Sequence, residues 1–157
     1  MLPVTVYNIG SHAFYGCTSL TSINIPSGVT QIKPYTFYNC SSLMSMILPQ
    51  TVSSIGEYAF YGCADMASIN IPSGVEIIPD YVFYGCGSLE KIDIADTVTN
   101  IGNYSFYGCV VMSSVDISTQ CVSIGDYAFY NCKTLASLEL PNSLKNIGDY
   151  ALHPALN

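Results

Sequence analysis

The sequence predicts a solenoid, a fold in which one short structural unit is repeated and stacked along an axis. Its main support is a spacing of 23 residues that recurs along the chain without insertion. A unit of this length cannot bury its own apolar side chains, whereas stacked units bury them against one another. Three rows show the spacing: Ile9, Ile32, Ile55, Ile78, Ile101, Ile124 and Ile147; Phe14, Phe37, Phe60, Phe83, Phe106 and Phe129, closed by Leu152; and Cys17, Cys40, Cys63, Cys86, Cys109 and Cys132.

In one half of each unit, polar and apolar residues alternate as they do in a β-strand. The segment 68–72, "SINIP", is the clearest example, with Ile69 and Ile71 on the same side. A proline ends the corresponding segment at Pro26, Pro49, Pro72 and Pro141, and turn residues such as Ser73 and Gly74 follow. Stacking these strands side by side, about 4.8 Å apart, predicts one continuous parallel sheet.

The other half of each unit predicts a single helical turn. The position six residues before the cysteine is rich in residues found at helix N-termini. The position directly before the cysteine holds glycine or asparagine, which indicates a left-handed backbone. The glycine after the repeated isoleucine is replaced by Pro79 in one unit, so a positive φ is not required there. The N-terminal positions are Ser11, Pro34, Glu57, Asp80, Asn103 and Asp126, and the left-handed positions are Gly16, Asn39, Gly62, Gly85, Gly108 and Asn131.

Length and composition favour one domain, residues 1–157, of about seven units with no clear linker. Only 10% of residues are charged, the net charge is −7, and arginine is absent, which argues against a nucleic-acid partner. No apolar run is long enough to span a bilayer. The first ten residues, "MLPVTVYNIG", lack the basic and apolar regions of a signal peptide.

The pattern "CxxLxxIxIPxxVxxIGxYAF" resembles the BspA-like, or Treponema-type, leucine-rich repeat. Its clearest copy runs from Cys17 to Phe37, and the resemblance covers essentially the whole chain. It implies a leucine-rich-repeat solenoid: a right-handed horseshoe of 23-residue repeats with a parallel β-sheet on the concave face and short helical turns or irregular structure on the convex side. It also implies a surface-exposed, extracellular protein that takes part in adhesion and binds host or matrix proteins.

The cysteines are predicted to pack in the core rather than to do chemistry. Cys121 takes a position that holds valine in other units, such as Val75, as a small buried hydrophobe can. Seven is an odd number, so complete pairing into disulfides within the chain is impossible. A linear row does not converge on zinc, and His12 and His153, the two histidines, stand at opposite ends, so a general base is lacking. We therefore expect no metal, no cofactor and no catalysis.

Two rows of tyrosines are expected to shield the convex side of the core and to form hydrogen bonds at their edges. The alternative is an exposed aromatic stripe that binds ligands or sugars. The first row is Tyr35, Tyr58, Tyr81, Tyr104, Tyr127 and Tyr150, and the second is Tyr15, Tyr38, Tyr61, Tyr84, Tyr107 and Tyr130.

A binding surface is predicted on the concave face, where the outward side chains of the strands form two rows. One row is mostly serine, and the other becomes acidic along the chain. The acidic row would attract calcium or a lysine-rich partner, or else it is a solvated face. The candidate residues for a protein or glycan ligand are Ser68, Asn70, Lys91, Asp93, Ser114, Asp116, Ser137 and Glu139.

The ends of the solenoid suggest a second function. Leu2, Val6, Ile9 and Phe14 begin the apolar pattern near residue 1, and an uncovered first strand is a template for another chain. Head-to-tail contact between further copies of the chain would build filaments, as in a structural protein. Alternatively, the chain is a fragment of a longer solenoid whose neighbouring units cover both ends. Pro154 replaces the glycine or asparagine of the last unit and is interpreted as a minimal cap.

Overall fold

The computed structural model describes residues 1–153, and over that span it contains nine short β-strands and no helix. All strand pairings are parallel, and paired residues are 23 positions apart. The predicted 23-residue solenoid is confirmed. The strands are β1 Gln31–Ile32, β2 Ser45–Met46, β3 Ser54–Ile55, β4 Ser68–Asn70, β5 Ile77–Ile78, β6 Lys91–Asp93, β7 Asn100–Ile101, β8 Ser123–Ile124 and β9 Asn146–Ile147.

Strands β2, β4 and β6 form part of the sheet that the alternating segments predict. The prediction of a single continuous sheet is wrong, because the corresponding segments of the other units are not strands in the described residues. Ile69 of β4 pairs with Met46 of β2 and with Ile92 of β6, and all three side chains are buried. Ser68 and Lys91, one residue earlier in their strands, are exposed. The alternation read from the sequence therefore separates core from surface as expected.

A second parallel row, which the sequence analysis did not predict, is formed by strands of two residues that each end on the repeated isoleucine. Strand β1 pairs with β3, and β5, β7, β8 and β9 form a four-stranded sheet. Strands β3 and β5 lie side by side. Two residues are too few to show an alternating pattern, so sequence reasoning had no signal for these strands.

The segment between the repeated isoleucine and the cysteine consists of tight turns rather than the expected helical turn. In one unit the N–H of Cys40 donates to the carbonyl of Phe37, three residues earlier, at 3.1 Å. The backbone is left-handed at Tyr35, with φ of 59°, and again at Asn39, with φ of 54°. Two left-handed residues this close together prevent a helix from forming. The left-handed backbone predicted at the glycine or asparagine position is confirmed, whereas the one at the tyrosine was not predicted.

Hydrogen bonds join the turn segment of each unit to that of the next unit along the solenoid axis. Phe37 donates its N–H to the carbonyl of Ala59 at 2.9 Å, and Phe60 donates to Val82 at 3.0 Å. Bonds of this kind form three rows, the peptide columns, in which every donor faces the next unit along the chain. The donors are Tyr35, Tyr58, Tyr81, Tyr104 and Tyr127 in one column; Phe14, Phe37, Phe60, Phe83, Phe106 and Phe129 in another; and Gly16, Asn39, Gly62, Gly85, Gly108 and Asn131 in the third.

Residues expected to cap helices connect neighbouring units instead. The Asp80 carboxylate accepts the N–H of Asn103 at 2.7 Å, and the Asn103 side-chain oxygen accepts the N–H of Asp126 at 2.8 Å. Asp126 in turn accepts the N–H of Asp149 at 2.8 Å. The composition that suggested a helix N-cap reflects the same need, a side-chain oxygen for a backbone N–H, but the N–H belongs to the next unit.

At Gly102 and Gly125, the glycine after the repeated isoleucine is required by space. A Cβ on Gly125 would lie 2.6 Å from the backbone nitrogen of Asn103 in the preceding unit, and a Cβ on Gly102 would lie 2.7 Å from that of Asp80. Neither glycine has a positive φ, as the sequence predicted. Gly10 occupies the same position in the first unit, and a Cβ there would meet no atom within 4 Å.

The core consists of columns of like side chains. Phe37 and Phe60 stack with ring centroids 5.5 Å apart and planes within 5°, and both rings are fully buried. Burying each such ring stabilises the fold by about 1.5–3 kcal/mol relative to leaving it exposed. Burial weakens at the last unit, where Ile147 is 49% exposed.

We predict that Gly125→Ala lowers the free energy of unfolding by about 1–3 kcal/mol, because the added methyl group overpacks the contact with the preceding unit. Gly10→Ala is the matched control, since the same change there meets open space, and it is expected to be neutral or slightly stabilising. Urea unfolding of both variants measures the difference. Equal stability of the two variants would contradict the close approach.

Candidate binding surface

Four of the residues predicted to bind a ligand lie on paired strands. Ser68 and Asn70 belong to β4, and Lys91 and Asp93 belong to β6. Lys91 Nζ lies 3.2 Å from Asp93 Oδ1, and both side chains are more than two-thirds exposed. An ion pair this exposed contributes at most about 1 kcal/mol to stability, so both charges remain available to a partner.

The other four predicted residues are exposed but lie outside the strands. Ser114 and Asp116 follow Lys91 and Asp93 at the 23-residue spacing, and Ser137 and Glu139 follow these in turn. The structure assigns no strand at these four positions. The sheet therefore brings together the first four residues only, and the acidic row continues beyond it on irregular backbone.

The side chain of Asn70 is already hydrogen-bonded to the backbone of the preceding unit. Its side-chain oxygen accepts the N–H of Leu48 at 2.8 Å, and its Nδ2 donates to the Leu48 carbonyl at 3.0 Å. Asn24 makes the same pair of bonds with Leu2, at 2.9 and 3.3 Å. Asparagine at this position therefore links neighbouring units by hydrogen bonds, and a ligand would have to compete with those bonds.

Ile47, which sequence reasoning did not select, is a highly exposed apolar side chain of this surface. It is 83% exposed and stands where Asn70 and Asp93 stand in the following units. Two open depressions, of about 440 and about 390 Å³, meet at Met46 and Ile47. Ser68, Lys91 and Asp93 line the second. The sequence signal that could have identified Ile47 was an isoleucine in an otherwise polar row.

The tyrosines of the convex side stack on one another. Tyr58 and Tyr81 have ring centroids 4.7 Å apart and planes within 6°, and the second row repeats this geometry, as at Tyr61 and Tyr84. Because each ring face covers its neighbour, a sugar cannot stack on the faces within the rows. Among the hydrogen bonds between protein groups of residues 1–153, none involves a tyrosine hydroxyl.

The residues proposed for self-association differ in exposure. Ile9 is buried, at 5% exposure, whereas Leu2, Val6 and Phe14 are half-buried against the core. Phe14 stacks on Phe37 with ring centroids 5.1 Å apart. Pro154, interpreted as a cap, lies outside the described residues.

Neither metal binding nor membrane spanning has support in the described span. Over residues 1–153 no three His, Cys, Asp or Glu side chains lie close enough to hold a metal ion together. Within that same span, no helix has the length and apolar character that crossing a bilayer demands.

Sequence comparison places the repeats in a family. The family described as "BspA type Leucine rich repeat region" matches residues 1–110 and 99–155, in six copies. The chain belongs to this family. A search of curated proteins finds no match to the chain.

Solved structures of bacterial leucine-rich repeat proteins resemble this one closely. A leucine-rich repeat protein from Eubacterium ventriosum is 29% identical over 99% of this chain, with a TM-score of 0.90. The leucine-rich repeat protein of T. pallidum is 32% identical over 88%, with a TM-score of 0.83, and a leucine-rich cell surface protein from Faecalibacterium prausnitzii is 33% identical over 82%, with a TM-score of 0.69. The chain spans 42%, 64% and 32% of those three chains, respectively.

The cysteines of this leucine-rich repeat join neighbouring units. Cys63 donates its thiol hydrogen to the carbonyl of Phe37 at 3.3 Å, and Cys86 does the same to Phe60 at 3.2 Å. The Phe37 carbonyl also accepts the N–H of Cys40 in its own unit, so the thiol occupies its second acceptor site. This position needs a side chain that is small, apolar and able to donate a weak hydrogen bond, and cysteine meets all three needs.

Burial makes these thiols unreactive. It raises the pKa of Cys86 to about 12 and that of Cys132 to about 12, in each case against a weaker lowering by a backbone hydrogen bond. Cys121 is also buried, as predicted from its valine-like position. Cys17 is exposed, which corrects the expectation that the whole row is buried, because no unit within the described residues packs on that side of it.

We predict that a thiol reagent modifies one cysteine of the native protein rapidly and the other six only on unfolding. Cys17 is the exposed thiol, and the others combine burial with little thiolate at neutral pH. Absorbance of the released chromophore, with and without denaturant, measures both groups. Cys17→Ser is the control and should abolish the rapid phase; rapid modification that survives this change would contradict the assignment.

Proposed function

We propose that this leucine-rich repeat domain is a non-enzymatic binding module of a cell-surface protein, with its ligand, a protein or a glycan, on the sheet face around Ile47. The observation that carries the proposal is the exposure of Ile47, 83%, between two depressions. A large apolar side chain held in water by a rigid backbone loses little conformational freedom when a partner covers it. The family match and the cell-surface neighbour support the location.

Charges beside Ile47 give this surface specificity. Lys91 and Asp93 lie on β6, and both line the second depression. The acidic row then extends through Asp116 and Glu139. A partner that places an apolar side chain over Ile47 and basic groups along this row would be complementary in both shape and charge.

A catalytic role has little support on this surface. The depressions are open, and the paired Lys91 and Asp93 side chains, 3.2 Å apart, are both more than two-thirds exposed. Acid–base catalysis requires a group whose surroundings shift its pKa towards the working pH, which enclosed sites provide. Binding without turnover therefore accounts for the surface better than catalysis does.

We predict that Ile47→Ser weakens ligand binding by about tenfold, which corresponds to about 1.4 kcal/mol. Ile77→Ser is the matched control, because Ile77 is also exposed, at 56%, but lies on β5 in the other row of strands. The measurement is surface plasmon resonance against purified extracellular-matrix proteins and a glycan array. Binding that Ile47→Ser leaves unchanged, or that Ile77→Ser weakens equally, would place the ligand elsewhere.

We propose self-assembly through the solenoid ends as the second candidate function. Its support is the direction of the peptide columns, in which every N–H donor faces the next unit and every acceptor faces the preceding one. A copy whose last unit meets the first unit of another would continue the same columns. Such contact is head-to-tail and does not close on itself, so it would build a filament.

Assembly of this kind is expected to be lost in Val6→Lys, because a charge would be buried in the contact, and to persist in Asp93→Ala on the sheet face. Light scattering on a size-exclusion column, at two protein concentrations with reductant, measures the mass. A mass near 16.9 kDa that does not change with concentration would rule out the assembly. Growth in mass that Asp93→Ala abolishes would place the contact on the sheet face instead.

A further inference from the structure

The convex side carries a continuous array of aromatic rings, two columns wide. Twelve of the thirteen tyrosines belong to it, and the two histidines complete it at opposite corners, since each takes a tyrosine position in a terminal unit. We call it the aromatic array. Each unit contributes one pair of rings, which we call a level. The levels are His12 and Tyr15, Tyr35 and Tyr38, Tyr58 and Tyr61, Tyr81 and Tyr84, Tyr104 and Tyr107, Tyr127 and Tyr130, and Tyr150 and His153.

Tyrosine rings of adjacent levels are in contact throughout the array. Within a column their centroids are 4.6 to 5.1 Å apart, with planes inclined by 2 to 17°. Across a level the separation is 5.5 to 6.1 Å and the planes are tilted by 36 to 55°. Every tyrosine of the array therefore has at least two other tyrosine or histidine rings at contact distance.

The array can be reached from solvent. Tyr15 is 51% exposed and Tyr150 is 58% exposed, and the tyrosines between them are half-buried with an edge in water. Burial raises the pKa of Tyr58 and Tyr81, and neighbouring tyrosines raise it further. Tyr58 and Tyr81 are therefore protonated at neutral pH, so each loses a proton together with an electron when it is oxidised.

We propose that the aromatic array is a site of oxidative cross-linking, at which tyrosines of adjacent units become joined as dityrosine. The co-reactant is a one-electron oxidant driven by a peroxide, such as hydrogen peroxide acting through a peroxidase. Two phenols each lose one electron and one proton, a carbon–carbon bond forms between the carbons beside their hydroxyl groups, and the hydrogens on those two carbons move to the oxygens as the phenols re-form. Overall, two tyrosines and one hydrogen peroxide give one dityrosine and two waters.

Pre-organisation is what distinguishes the array from ordinary surface tyrosines. Two tyrosyl radicals on separate molecules must meet by diffusion, whereas neighbouring rings here are already in contact, at an effective concentration that exceeds micromolar protein by orders of magnitude. Tyr7 provides the contrast within the same chain, because it is 76% exposed and forms no ring contact with residues 1–153. A bond between adjacent levels would tie together residues 23 positions apart and fasten one unit to the next.

The experiment photo-oxidises dilute wild-type protein with a ruthenium tris-bipyridyl sensitiser and persulfate, in which persulfate takes the place of the peroxide. The monomer is then isolated, dityrosine is measured by fluorescence, and the joined peptides are mapped by mass spectrometry. Tyr7→Phe is the control. The test variant, the alternating variant, removes the hydroxyl at every second level and leaves no stacked pair of tyrosines: Tyr35→Phe, Tyr38→Phe, Tyr81→Phe, Tyr84→Phe, Tyr127→Phe and Tyr130→Phe.

We expect dityrosine within the wild-type monomer, mapped to tyrosines 23 residues apart, with an unchanged yield in Tyr7→Phe. The alternating variant should lose these bonds, with a yield lower by roughly tenfold, and wild-type protein unfolded in urea should resemble it. Circular dichroism is used to check that the alternating variant is folded. Cross-links that are chiefly between molecules, that involve Tyr7, or that form equally well in urea would overturn the proposal.

Discussion

The hydrogen bonds of the three peptide columns are the interaction on which the rest of this solenoid depends. Each bond contributes only about 0.5–1.5 kcal/mol net, but an N–H left unpaired in the same place would cost about 1–3 kcal/mol. A slip of one residue between two units would break all three columns together with both rows of strands. The 23-residue spacing is therefore maintained mainly because any other register would leave these N–H groups without a hydrogen-bond partner.

Constant register explains why like side chains stack on like. Tyr58 and Tyr81 adopt a left-handed backbone, which costs each roughly 1–2 kcal/mol, and an aromatic contact of about 0.5–1.5 kcal/mol with each neighbour offsets this cost. The same register lets five thiols of the cysteine row donate to the phenylalanine carbonyl of the preceding unit, as Cys86 does to Phe60. It also brings the backbone at Gly125 so close to the preceding unit that this residue has no room for a side chain.

The repeat, the first sheet and the core could be predicted because each leaves a periodic signal in the sequence. The left-handed position at Asn39 was also predictable, since glycine and asparagine share that row, whereas tyrosine is so rarely left-handed that Tyr35 gave no warning. Asn103 was interpreted as a helix cap, because composition shows that a backbone N–H needs a partner but not which unit supplies it. On the candidate surface the exposed charges were predictable, but the importance of Ile47 depends on which side of the strand it faces and on the depressions beside it.

The most direct test of the peptide columns is hydrogen exchange of individual amides, followed by NMR at neutral pH. The structure predicts that the N–H groups of Phe60, Phe83 and Phe106 exchange as slowly as those of strand β4, because each is bonded to the next unit. Slow exchange there would show that the units are joined on the convex side as well as through the sheets. Exchange as fast as that of the exposed segment at Val4 would contradict the account, because the turn segment would then be attached to its neighbours by side chains alone.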